Sequence, residues 1–324
     1  MCPHQEHRNE TFLTYIRRII SDLKDDQRFV TITVDETHIK SYFEYKRNTI
    51  TGIALNQNQA ANCELVFMVR MLTCIFKEVA HIVLVHNLDA EFLHNTLKDV
   101  VCWLEEIGYR VVSLNPVHVL KCIRNYWINQ KNDHVCFYFP GIQTDETQPQ
   151  RMQIASFATT RELHSKESDQ LLKHGYGLSR KAIYHSNIER QNVKLALQIF
   201  NNFLSEAWRD LGTKHNLFSF DATATFTEIV IKWWKVVNVK TPWKGKMRQD
   251  QFRQPVFSVY NDPKIDFLHT LLTWLDYWRS KGLHKSTLKE THAAFEHTTY
   301  GLVELARYSF GSPTPFLERF RLTV

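Results

Sequence analysis

Apolar side chains recur along the first third of the chain with two different periods. In residues 10–24 they are spaced by three and one positions, which predicts a helix with a single apolar face. Residues 29–34 alternate and are rich in β-branched side chains, which predicts a strand. Residues 90–107 return to the helical period and stop at Gly108, a residue favoured at helix C-termini. Further strands are predicted at residues 49–55, 65–71, 81–85 and 109–114.

The pattern changes after residue 114 and becomes mainly helical. Long amphipathic helices are predicted at residues 117–129, 189–211, 222–237 and 262–280. Loops are predicted where Pro, Gln and Thr or basic residues accumulate, at residues 140–155 and 240–262. The change predicts two domains followed by a tail, with bounds of 1–115, 116–311 and 312–324.

The order of the predicted elements in the first domain indicates its fold. Three early antiparallel strands are followed by a crossover helix and a parallel strand, which is the order found in ribonuclease-H-like folds. The fold class is therefore α/β plus all-α: a partial ribonuclease-H-like domain followed by a mainly helical domain.

Composition excludes several other classes of protein. A hydrophobic content of 44% with 21 Phe is enough for a sizeable core and excludes a disordered chain. No apolar run approaches the 18 residues of a membrane span, and the first residues lack the apolar segment of a secretory signal. An intracellular protein without a membrane partner is expected.

The charge balance permits nucleic-acid binding without requiring it. The 40 Lys+Arg exceed the 34 Asp+Glu and give a formal net charge of +6, but DNA binding needs a clustered basic patch. One basic stretch is interleaved with Trp243 and Phe252, and it contains Lys240, Lys244, Lys246, Arg248 and Arg253. It either contacts a phosphate backbone without sequence specificity or forms an ordinary solvated loop.

The cysteines show no metal-binding spacing. None of the six belongs to a C-x-x-C motif, and most lie in apolar runs. Buried reduced thiols are predicted, rather than a zinc site or a disulfide framework.

The strongest local feature that could carry chemistry is VDETHIK, residues 34–40. A carboxylate such as Asp35 at the end of a central strand suits a site where acidic side chains hold two Mg²⁺ ions for phosphoryl transfer. Because Asp is also common where strands enter turns, a purely structural acidic exit is the alternative. A two-metal site needs a second carboxylate, and the neighbouring strand at residues 109–114 has none.

Several blocks of sequence, in the same order, resemble the P-element transposase family. DETHIK at 35–40 resembles the family's DE-x-x-IK start, and VHVLKCIRNYW at 117–127 resembles its H-L-L-K-x-I-R-N segment. The stretch 186–200, SNIERQNVKLALQIF, is similar to its K-M-x-V-K-L-A-x-Q-x-F helix. NVKTP at 238–242 and TTYGLVEL at 298–305 also match, so the resemblance covers about residues 10–310.

The resemblance implies a nuclear DNA transposase with a ribonuclease-H-like DDE site that uses Mg²⁺. It also implies that a helical GTP-binding domain interrupts the catalytic fold, that GTP is a cofactor for assembly on DNA, and that the protein self-associates. In this frame Asp35 is the first catalytic acid and a metal ligand, and Lys194 and Asn238 bind the nucleotide cofactor. For Lys194, a solvated lysine on an amphipathic helix is the alternative.

The chain departs from the family pattern at three points. The second acid is missing where the strand ends at Asn115, and the third acid has one faint counterpart, Glu318 in FLERF, or else Glu318 is a stray exposed residue. Lys235 stands three residues before Asn238, where the family pattern has the Asp that reads guanine. Weak GTP binding with little selectivity over ATP is therefore expected.

Three interpretations remain open at this stage. The first is an active Mg²⁺-dependent transposase, and the second is a catalytically incompetent derivative that binds DNA or protein in the manner of a repressor. The third is a decaying transposon fragment. A single acid out of three favours the second and third, because one carboxylate cannot position two metal ions.

Overall fold

The computed structural model divides the chain into two compact units between Asn115 and Pro116. Each unit has its own hydrophobic core. The structure describes residues 14–46, 49–72, 76–114, 116–130, 136–141, 151–169, 171–186, 189–239, 242–256, 258, 260–282 and 289–311. Glu318 and the predicted tail lie outside these residues.

In its described residues the first unit combines α-helices with strands. Helix α1 spans residues 14–21. The strands are β1 (Phe29–His38), β2 (Glu44–Lys46), β3 (Thr49–Thr51), β4 (Cys63–Met71), β5 (Lys77–Val85) and β6 (Arg110–Leu114), and helix α2 (Ala90–Glu106) precedes β6.

The main sheet of this unit has the strand order β5-β4-β1-β6. Strand β1 is antiparallel to β4, β4 is antiparallel to β5, and β1 is parallel to β6. The parallel strand is reached through α2, because a parallel pair needs a crossover connection. The predicted order of antiparallel strands, helix and parallel strand is confirmed.

One face of this sheet is buried and the other is only half-covered. Alternate residues of β4, from Cys63 to Met71, are buried, and the residues between them are intermediate. The buried face shares a core with Ile16 and Ile20 of α1 and with Val100 and Leu104 of α2. This alternation follows from the two-residue period of a strand.

Strand β1 is longer than its sequence pattern predicts. Residues Val30 to His38 pair continuously with Met71 to Cys63 of β4. The prediction that Asp35 follows the end of the strand is therefore wrong, because pairing with β4 extends the strand beyond its β-branched run. The predicted strand at 49–55 is also too long: β3 ends at Thr51, and a single bridge joins Ile53 to Ala60.

The second unit is mainly helical, with one small hairpin. Its helices are α3 (Pro116–Ile128), α4 (Phe157–Lys166), α5 (Arg180–Ile183), α6 (Val193–Ile199), α7 (Asn202–His215), α8 (Phe220–Val237), α9 (Pro242–Met247), α10 (Pro263–Ser280) and α11 (Lys289–Gly311). Its strands β7 (Cys136–Pro140) and β8 (Met152–Ser156) are antiparallel. In the described part of the chain no helix has both the length and the hydropathy of a membrane span.

Three predictions for this unit need correction. The segment 240–262 is not entirely a loop, because it contains helix α9 and a short 3-10 helix at Gln251–Arg253. The segment 140–155 is not entirely a loop, because residues 152–155 belong to β8, which pairs with β7 in an antiparallel hairpin. The predicted helix at 189–211 is divided, because α6 ends at Ile199 and α7 starts at Asn202. The Asn201 side chain accepts a hydrogen bond from Leu204 N at 2.9 Å and so caps a new helix.

Aromatic rings fill the core of the second unit. The Trp127 ring packs against four Phe rings at centroid distances of 5.3–6.2 Å, those of Phe137, Phe157, Phe200 and Phe226. Its indole N–H donates to Ala155 O at 3.0 Å, so the buried polar group is satisfied. Phe226, Trp233 and Trp234 are buried, so the aromatic stripe of α8 is core, as its helical spacing predicts.

Candidate functional site

Asp35 lies on an exposed stretch of β1, beyond the part of the strand that pairs with β6. The pairing with β6 ends where Ile32 meets Leu114, whereas Asp35 is three residues further and pairs with Val66 of β4. Its Oδ1 accepts a hydrogen bond from Glu36 N at 3.1 Å. The side chain is exposed to solvent.

The strand that should supply a second acid has none. Strand β6 reads Arg-Val-Val-Ser-Leu, so its residues offer no carboxylate to share a metal with Asp35. Glu64 of β4 lies opposite Thr37, two residues from Asp35, and therefore belongs to the same face of the sheet as Asp35. Such a diagonal pair lies about 7–8 Å apart. Sequence reasoning missed Glu64, because its face depends on strand register.

The structure brings together a different group of potential ligands. Oxygen, nitrogen and sulfur atoms of Glu36, His38 and Cys63 all lie within 4.8 Å of one another. Cys63 Sγ lies 3.5 Å from Glu36 Oε1, and burial, followed by the Glu36 charge, raises the pKa of the thiol to about 12. Among the described residues Asp35 belongs to no such group of three.

The cysteines that the structure describes, Cys63, Cys102, Cys122 and Cys136, form no disulfide with one another. Cys63 and Cys136 are buried, as predicted, whereas Cys102 on α2 is exposed, contrary to the prediction for an apolar run. It lies on the outer face of that amphipathic helix.

The two residues expected to bind a nucleotide lie on different helices. Lys194 is exposed in the first turn of α6, where its backbone N–H donates to Asn192 Oδ1 at 2.9 Å. Asn238 follows the last residue of α8, and its buried Oδ1 accepts no hydrogen bond from the described part of the chain. The described hydrogen bonds and ion pairs do not join Lys194 to Asn238.

Lys235, which stands where the family resemblance implies a guanine-reading Asp, forms an ion pair. Its Nζ lies 3.1 Å from Asp250 Oδ2, and Arg253 Nε lies 3.3 Å from the same oxygen. The other oxygen of Asp250 accepts from Phe252 N at 3.1 Å. Asp250 thus brings a carboxylate next to Lys235, but both oxygens of that carboxylate already contact a cation or a backbone N–H.

The Arg-Asn pair in the block at 117–127 fixes the segment before α6. Arg124 is fully buried and donates to the carbonyl oxygens of Glu189, Arg190 and Asn192 at 2.5–3.3 Å. Its guanidinium also donates to Asn125 Oδ1, and burial lowers the pKa of Arg124 to about 10. Arg124 therefore fixes the backbone of the segment that leads into Lys194.

Positive charge collects around His185 beside this segment. Burial lowers the pKa of His185, and the charges of Arg124, Arg190 and Arg161 lower it further, with Glu189 opposing them. Both ring nitrogens of His185 and the Nε atoms of Arg161 and Arg190 are buried without a hydrogen-bond partner among the described residues. Such an arrangement of donors suits an anion.

Much of the basic stretch is engaged within the protein. Arg253 contacts Asp250. Lys232 Nζ lies over the Phe252 ring, 4.5 Å from the ring centroid, so this face of the ring cannot stack on a base. Lys246 and Arg248 are exposed. Lys240 lies outside the described residues, as do the side chains of Trp243 and Lys244.

Comparison with known proteins identifies the class of the first unit. Residues 6–115, almost all of the first unit, match the family model of the TNP-like RNase H N-terminal domain. No curated protein matches the sequence.

A solved structure extends the likeness to almost the whole chain. The chain is similar in fold to a chain of the Drosophila P element transposase strand transfer complex, with a TM-score of 0.59 and 15% sequence identity. The match covers 96% of this chain and 72% of that chain. Together with the family model, it confirms the resemblance to the P-element transposase family.

Proposed function

We propose that this chain is a transposase-like protein that binds DNA in the nucleus without catalysing strand transfer. The observation that carries the proposal is the absence of a carboxylate from β6, the strand parallel and adjacent to the one that bears Asp35. Two-metal catalysis requires acidic ligands that hold both ions about 3.5–4 Å apart. Asp35 and the diagonal Glu64 do not provide that ligand set, so the residues do not fit a pair of Mg²⁺ ions.

DNA binding is supported by the fold and by the charge. The fold resembles that of a transposase solved in a strand transfer complex, and the chain has a net charge of +6. Two basic side chains of this stretch, those of Lys246 and Arg248, are exposed to solvent. They are suited to phosphate contacts, which give affinity without sequence specificity.

The test is the salt dependence of binding to a labelled DNA duplex, followed by fluorescence anisotropy. The double variant Lys246→Glu/Arg248→Glu should weaken binding. The slope of log K, where K is the association constant, against log salt is negative, and its magnitude should fall by about two, one for each lost phosphate contact. The control Lys173→Glu/Lys214→Glu makes the same charge change at exposed positions elsewhere in the second unit.

Two outcomes contradict this part of the proposal. Equal losses in both double variants would show that only net charge matters. A wild-type chain that binds no DNA at low salt would support a decaying transposon fragment instead.

Self-association belongs to the same proposal, and sedimentation with and without DNA measures it.

We further propose that the second unit binds nucleotides through their phosphates and does not read the base. The guanidinium groups of Arg161 and Arg190 place positive charge around His185, beside the segment that leads into Lys194. The carboxylate that could accept from guanine, Asp250, is engaged by Lys235 and Arg253. GTP and ATP present the same phosphates, so little selectivity between them follows.

A further inference from the structure

We propose that Glu36, His38 and Cys63 form a binding site for one divalent cation of the zinc class. Their potential ligand atoms, one from each side chain, lie within 4.8 Å of one another. The three residues offer a carboxylate, an imidazole and a thiol, and all three are established types of zinc ligand.

Strand geometry explains why these side chains converge. Glu36 and His38 are two residues apart on β1 and therefore share one face of the sheet. Cys63, the first residue of β4, pairs directly with His38 in the antiparallel register. Side chains in such directly opposed pairs have Cβ atoms only about 4.5–5.5 Å apart. The sheet therefore holds the three ligands on rigid backbone.

The distance between two of the ligands already fits a tetrahedral ion. With bonds of about 2.3 Å to sulfur and about 2.0 Å to oxygen, a tetrahedral angle places the two ligand atoms about 3.5 Å apart. The observed separation of Cys63 Sγ and Glu36 Oε1 is 3.5 Å. A cation can therefore enter without displacing either strand, and a water molecule completes its fourth position.

The ligand set also indicates which metals bind. Thiolate and imidazole ligands suit Zn²⁺ and Co²⁺, whereas Mg²⁺ and Ca²⁺ prefer sets made of oxygen atoms. Cys63 is 2% exposed, while Glu36 and His38 are exposed, so the ion reaches a buried sulfur through two solvent-facing ligands.

This site is separate from the position of the family's catalytic metals. Neighbouring residues of a strand point to opposite faces, so Asp35 faces away from Glu36. Glu36 faces the same side as Cys63, which belongs to the core shared with α1 and α2. A metal here joins β1 to β4 and stabilises the folded sheet by mass action.

Cobalt titration of the purified full chain tests the proposal. Co²⁺ alone should produce a thiolate-to-cobalt charge-transfer band and the visible absorption of a tetrahedral ion, saturating at one ion per chain. Zn²⁺ should then displace both signals. Cys63→Ser should abolish the charge-transfer band, and His38→Gln should weaken binding by more than about tenfold, since even outer-shell changes cost 10–100-fold.

The exposed cysteine of α2 supplies the matched control. Cys102→Ser removes a thiol without touching the three ligands and should leave both signals unchanged. If Cys63→Ser fails to fold, the variant His38→Gln still tests the proposal, because His38 is exposed and its replacement should not disturb the core. A wild-type chain without a charge-transfer band would overturn the proposal, and so would a band that persists in both ligand variants or disappears in Cys102→Ser.

Discussion

At the scale of single residues, burial decides how His81 titrates. Its side chain lies in the core of the first unit, 4% exposed, with its ring 5.8 Å from that of Phe67 and 5.4 Å from that of Trp103. Burial lowers the pKa of His81 to about 4, and the charge of Asp99 opposes that effect only in part. The imidazole is therefore neutral in the folded protein at neutral pH.

We predict that this histidine makes the chain sensitive to acid. In the unfolded chain the imidazole takes up a proton as the pH falls below about 6.5, whereas in the folded chain it does so only near pH 4. The free energy of unfolding should therefore fall across this window, by up to roughly 3 kcal/mol from this group at about 1.4 kcal/mol per pKa unit. Urea unfolding from pH 7 to pH 4 measures the loss.

The variant His81→Leu isolates this contribution from that of the carboxylates. It should lose less stability than wild type between pH 6.5 and pH 4, whatever its stability at pH 7. Parallel pH profiles for wild type and variant would contradict the account.

A second residue-scale prediction concerns Lys235. Replacing it by Met removes one of the two cations on Asp250 and leaves that carboxylate better able to accept from guanine. Isothermal titration should show similar weak affinities for GTP and ATP in wild type, and a severalfold preference for GTP in Lys235→Met. Strong GTP selectivity in wild type would show that another group reads the base.

At the scale of secondary-structure elements, periodicity could predict most of the fold. The helical spacing of residues 222–237 and 262–280 agrees closely with α8 and α10. The exact end of β1 and the presence of β8 could not be predicted, because both depend on a partner strand elsewhere in the chain. Pairing with β4 keeps even the exposed residues 35–38 in the strand.

The contact between α7 and α8 gives an element-scale prediction. At Gly212 in α7, an added methyl group would overlap the ring of Phe220, the first residue of α8. Alanine normally improves a helix by about 1 kcal/mol over glycine, but overpacking costs about 1–3 kcal/mol. Gly212→Ala should therefore lower the free energy of unfolding, measured in urea.

Gly177 provides the matched control for this substitution. An added methyl group there meets no atom within 4 Å, so Gly177→Ala should change stability by less than about 1 kcal/mol. A stabilised Gly212→Ala variant would show that the two helices separate easily at this point.

At the scale of the whole molecule, the boundary between the two compact units lies between Asn115 and Pro116, which is also where the composition of the chain changes. Asp35 could be selected as a candidate from the block DETHIK, because a motif is local in sequence. The group of Glu36, His38 and Cys63 could not, because it depends on the pairing of His38 with Cys63 across two strands. Local motifs identify single ligands, and strand register decides which of them meet.

The most direct test of the account is a strand-transfer assay in which DNA binding is measured on the same samples. With Mg²⁺ or Mn²⁺, the chain should form a salt-sensitive complex with DNA and yield no cleaved or joined product above a buffer control. Asp35→Asn and Glu64→Gln should then leave the background unchanged. Product that wild type forms and that Asp35→Asn abolishes would contradict the account, because it would show that Asp35 has the catalytic partners that β6 does not supply.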